Sequence, residues 1–83
     1  MRANSATQSA VREAVLHATS ADDRLTVTQT VASNGWGDVL YVDVYARSRQ
    51  QTLEDLNPEL RKAVASVVDR PYERITIKWR LSS

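Results

Sequence analysis

The spacing of apolar residues changes along this chain, and no other feature narrows its fold as much. Val11, Ala14, Val15 and Ala18 recur at intervals of three and four, with Arg12 and Glu13 on the other side. That is the period of a helix lying against a surface, and it predicts one from about Ala6 to Ala18. The stripe is built from small residues, so the helix is expected to lie close to what it covers. From Leu25 the period drops to two. Leu25, Val27 and Val31 alternate with Thr26, Thr28 and Thr30, the pattern of a half-buried strand rich in β-branched residues. Ser33-Asn34-Gly35-Trp36-Gly37-Asp38 is a turn cluster. A second strand follows, with Leu40, Val42, Val44 and Ala46 on one face and Tyr41, Asp43 and Tyr45 on the other. The helical period then returns in Leu53, Leu56, Leu60, Val64 and Val67, where Asn57-Pro58 supplies a cap and a first helical residue. This helix is expected to run to about Val68 and to stop before Arg70-Pro71. A last strand places Ile75, Ile77, Trp79 and Leu81 inward and Arg74, Thr76, Lys78 and Arg80 outward.

The order α-β-β-α-β in 83 residues leaves room for one domain. Residues 1–5 are expected to be a flexible arm, and 6–83 a single α+β domain. Ser5-Ala6-Thr7-Gln8 has the form of a capping box, with Ser5 as the cap and Gln8 reaching back. A strand-helix-strand crossover makes the second and third strands parallel. The predicted architecture is a two-layer sandwich, a three-stranded mixed sheet with both helices on one face. It is a ferredoxin-like arrangement lacking the first strand. The uncovered face is expected to carry Thr26, Thr28, Thr30, Tyr41, Asp43, Tyr45, Thr76, Lys78 and Arg80. Gln29 falls on the apolar side of the first strand, at the sheet margin or bonded to unpaired backbone.

Composition removes several classes of chemistry. Cysteine is absent, which excludes disulfides, zinc ribbons, iron–sulfur clusters and thiol nucleophiles. His17 is the one histidine, so no two-histidine metal site forms within a chain. His17 with Asp22 and Asp23 offers a base and carboxylates but no nucleophile or oxyanion donors. No Gly-x-Ser-x-Gly elbow or phosphate-cradling glycine loop occurs. No catalytic residue and no cofactor is therefore expected. Eleven basic and ten acidic residues give a net charge of +1, too balanced to announce a nucleic-acid partner. No apolar run approaches the length of a membrane span. A cytoplasmic location follows if Met1 is the native start, and a cell-envelope location if a signal or anchor precedes it.

Three resemblances bear on function. Asn34-Gly35-Trp36-Gly37-Asp38-Val39-Leu40-Tyr41 resembles the octapeptide signature of RNA-recognition motifs, which implies base stacking by Trp36. That signature places Trp36, Asp38 and Leu40 on the exposed face, whereas the strand period places Leu40 inward. The Val39-Leu40-Tyr41-Val42-Asp43-Val44-Tyr45 run and the Ala, Val and Arg usage resemble small uncharacterised domains of actinobacterial exported proteins and lipoproteins. That resemblance implies a bacterial protein at the envelope. The element order is also similar to the C-terminal domain of cation diffusion facilitators, a dimerising, metal-sensing module. With one histidine here, no metal is expected.

The expected function is a non-enzymatic interaction or dimerisation module that uses the uncovered sheet face or an edge. Tyr41, Tyr45, Lys78 and Arg80 are the candidate contact residues, with Trp36 at the hairpin tip. The expected partner is a second copy or another protein. The alternative is a small nucleic-acid-binding domain with a sheet face like that of an RNA-recognition motif.

Overall fold

Two helices pack against one face of a three-stranded sheet in the computed structural model, which describes residues 1–83. The elements are α1 (Ser5–Thr19), β1 (Leu25–Asn34), β2 (Leu40–Ser48), α2 (Asn57–Ala65) and β3 (Ile75–Ser82). β2 is central, antiparallel to β1 and parallel to β3. The α+β order and sheet arrangement agree with the sequence periods.

The core forms where the periods converge. Leu40, Val42 and Val44 of β2 meet Val11 and Val15 of α1, Leu60 and Val64 of α2, and Ile75 and Ile77 of β3. Each such aliphatic side chain contributes about 1.5–3 kcal/mol on burial. A smaller cluster of Leu25, Ala46 and Leu53 closes one end of the sheet. Asn57 is in the helix and does not cap it; its Oδ1 accepts from Trp79 Nε1 at 2.6 Å, tying α2 to β3.

Further expectations about helix ends, caps and strand faces are corrected. α2 ends at Ala65 rather than Val68, with the Ser66 hydroxyl donating to Ala63 O. A serine that bonds its own backbone, followed by two β-branched valines, favours leaving the helix. Val67 consequently swings out to 47% exposure, and Val68 packs against the core instead.

The faces of β1 change halfway. Val27 pairs with Ala46 but Gln29 pairs with Tyr45, so Thr28 is an extra residue, a β-bulge. Beyond it every side chain exchanges faces. Thr30 therefore lies opposite inward-facing Val44, while Gln29, Val31 and Ser33 join the uncovered face.

The cap of α1 is Asn4, not Ser5: Asn4 Oδ1 accepts from the Thr7 N–H at 2.9 Å. Gln8 does not reach back to a cap residue's N–H. Its Oε1 accepts from Ala32 N–H at 2.9 Å, and its Nε2 donates to Ala32 O at 2.7 Å and Ala3 O at 3.1 Å. One side-chain amide thus serves β1 as a neighbouring strand does.

The first residues, expected as a flexible arm, run along the same edge. Ala3 N–H donates to Ala32 O at 3.0 Å, Asn34 N–H donates to Met1 O at 2.6 Å, and Ala3 is buried.

The loop between α1 and β1 is fixed by charge. Arg24 donates to both Asp22 oxygens and also meets Asp55 at 3.0 Å, bracing this loop against the turn before α2. The side-chain hydrogen bond from Arg24, then its backbone N–H, hold the Asp22 carboxyl below its ordinary value of 3.8. The same contact, with Asp55 adding to it, raises the guanidinium above its ordinary range. A depressed folded-state pKa adds stability that is present above the unfolded value and lost as pH falls through the folded one. Asp22→Asn is therefore expected to be less stable than wild type near neutrality, with the gap closing as the pH is taken below 3.8. Urea unfolding of both proteins across that range checks it; a gap that widens in acid contradicts the assignment.

Candidate functional site

The period of two in β2 and β3, with the bulge in β1, sets the uncovered face as three rows. Ser33, Tyr41 and Thr76 form the first, Val31, Asp43 and Lys78 the second, and Gln29, Tyr45 and Arg80 the third. Four of the expected contact residues, Tyr41, Tyr45, Lys78 and Arg80, are thus brought together. Trp36 is not among them. It sits in the turn Trp36–Asp38 with 96% of its surface exposed and does not fold back over the sheet.

Each side chain on the face has a physical setting. The Tyr41 ring lies so close to Gly35 that a Cβ there would overlap it; close approach, not an unusual φ, calls for glycine. The Lys78 ammonium stands 4.8 Å from the Tyr41 ring centroid, a cation–π contact. Tyr45 is 38% exposed. Arg80 Nε stands 3.6 Å from Asp43 Oδ1, within reach of an ion pair but beyond hydrogen-bond distance. Asp43 Oδ1 is out of contact with solvent and has no hydrogen-bond partner. A carboxylate oxygen in that condition costs stability until a donor arrives.

The hairpin tip is held from a distance. Arg70 donates to Asn34 Oδ1 and, at 3.4 Å, to Asp38 Oδ1, while Arg74 donates to Gly37 O at 2.8 Å. Gly37 and Asp38 both adopt φ of +66°, the left-handed conformation of a tight turn. Trp36 is therefore presented on a turn braced by two arginines. Sequence reasoning missed both, because nothing in the local pattern links residues more than thirty positions apart.

The octapeptide resemblance is not matched by the geometry of a stacking strand. Leu40 is fully buried on the helix side, as the strand period requires, and Trp36 and Asp38 lie in the turn. His17 is exposed on the last turn of α1, and Asp22 is committed to Arg24. No group of three histidine or acidic side chains is placed to hold a metal ion. No helix is long and apolar enough to cross a membrane.

Two depressions flank the sheet. One, about 630 Å³ and open, is bordered by Arg24, Arg47 and Arg49 beside Ser83. The other, about 440 Å³, runs between β3 and the loop carrying Gln51, Thr52 and Glu54. Neither was visible in the sequence, since each joins loops to strand ends. No protein-family model, curated protein or solved structure matches the chain.

Proposed function

We propose that this chain is a non-enzymatic interaction module that docks through its uncovered sheet face, a second copy being the first partner to test. The observation that supports this most is the face itself. Both helices lie on the other side, and Val31, Tyr41 and Tyr45 surround Asp43, which stands between Val31 of β1 and Lys78 of β3. Sheets that leave a face uncovered associate readily when it carries aromatic and β-branched residues. Asp43 Oδ1, beneath this face, has no hydrogen-bond donor and only the Arg80 guanidinium at 3.6 Å for charge.

Light scattering after size exclusion, across protein concentration at low and high salt, tests the reading. The expected result is a salt-resistant dimer that Tyr45→Asp dissociates. Tyr45 is exposed enough for the substitution to leave the fold intact. A monomer at every concentration, unchanged by salt or substitution, contradicts self-association through this face.

A further inference from the structure

The two edges of the sheet are unequal. On the β1 side, Ala32 and Asn34 are bonded by Gln8, Ala3 and Met1, and the bulge at Thr28 interrupts the remainder. Both are ways in which proteins blunt an edge. On the β3 side, Ile75 O accepts from Arg61 Nε at 2.9 Å, so the backbone of Ile75 points away from β2. Backbone groups alternate along a strand, which turns the N–H and C=O of Ile77, Trp79 and Leu81 outward as well. None of these has a hydrogen-bond partner outside the sheet, and the 440 Å³ groove runs alongside them.

Charge selects what fits there. Lys78 and Arg80 project exposed from the outer side of β3, and Lys78 has no anionic partner. A second copy pairing antiparallel about Trp79, the middle of the open edge, would set Lys78 against Arg80, and like charges directly opposite are destabilising. A strand with carboxylates at alternate positions reverses that sign. Its other side chains enter the groove beside Trp79 and Leu81, where Glu54 on the far wall disfavours further acid.

We infer that the β3 edge accepts an extended peptide by strand addition, with acidic residues opposite Lys78 and Arg80 and apolar residues between them. This deepens the interaction-module reading and rests on it for the absence of catalysis, but not on the dimer. Main-chain bonds to Ile77, Trp79 and Leu81 supply affinity, and the alternating side chains supply specificity.

The test is amide exchange by NMR with capped octapeptides alternating Glu and Val, or Lys and Val. At about ten times its dissociation constant, the Glu/Val peptide is expected to slow exchange at Ile77, Trp79 and Leu81 by about tenfold. Ala32, on the opposite edge, is expected to keep its rate. Lys78→Glu with Arg80→Glu, at two exposed positions, is expected to reverse the preference to the Lys/Val peptide. No protection at millimolar peptide, or equal protection by both peptides, overturns the inference. So does displacement of the Glu/Val peptide by single-stranded oligothymidylate, which points to a phosphate site instead. A dimer sensitive to Tyr45→Asp alongside an unprotected β3 edge would fail this inference and leave the face reading standing. A monomer whose β3 edge is protected does the opposite.

Discussion

Leu40→Ala is expected to lower unfolding stability by about 2–5 kcal/mol, the range for deleting a buried leucine without full collapse of its site. Leu40 is fully buried in the central strand and belongs to the cluster shared by both helices and β3. Collapse of that cavity is resisted because neighbouring side chains come from four elements, each fixed by its own backbone. At about 0.05–0.15 kcal/mol per residue, the whole domain has about 4–12 kcal/mol to lose. A large fraction of the variant is therefore unfolded if the true value is near the lower limit. Urea unfolding followed by circular dichroism measures it. A loss below about 1 kcal/mol, the size of an ordinary surface effect, contradicts the placement of Leu40 in the core.

Gln8→Ala is the second large effect, expected at about 1–3 kcal/mol, the cost of leaving a buried backbone group without its partner. It removes the acceptor of the Ala32 N–H and one of two donors to Ala32 O. Gln8→Glu separates the two halves of that role. A carboxylate accepts from Ala32 N–H but cannot donate to Ala32 O or Ala3 O, and at neutral pH it sets charge against both carbonyls. Both variants are expected to lose stability, and Gln8→Ala, which leaves the Ala32 N–H without its acceptor, to speed amide exchange there. An unchanged Ala32 rate in Gln8→Ala contradicts the role given to this side chain. Greater aggregation of either variant is also expected, because the β1 edge is then opened to other chains.

How far the sequence disclosed the fold depends on how strictly each segment keeps its period. β2 and β3 alternate without interruption, so spacing alone places Tyr41, Tyr45, Lys78 and Arg80 on one face. β1 could not be placed as well. In Thr26-Val27-Thr28-Gln29-Thr30-Val31 both phases offer β-branched residues, so an extra residue at Thr28 leaves no trace in the pattern. The alternation accordingly puts Gln29 on the wrong side, and the capping-box spacing gives Gln8 to a helix cap when an unpaired strand edge claims it. Met1-Arg2-Ala3 carries no strand signal, and its path is set by the edge it covers. The rotamer-dependent features of the site, Lys78 over Tyr41 and the unsatisfied Asp43 oxygen, lie below what spacing can specify. The turn cluster marks Trp36 as a tip residue, but its exposure follows from a turn that Arg70 and Arg74 brace from distant sequence.

The sheet has one closed edge and one open edge beneath an uncovered face. Native-state amide exchange on the free protein, at a concentration where it is monomeric, tests it most directly. The structure predicts slow exchange at Ala32, whose N–H is held by Gln8, and fast exchange at Ile77, Trp79 and Leu81, whose amides point away from β2. Protection of Ile77, Trp79 and Leu81 equal to that of the central strand, with free exchange at Ala32, would contradict a closed β1 edge and an open β3 edge.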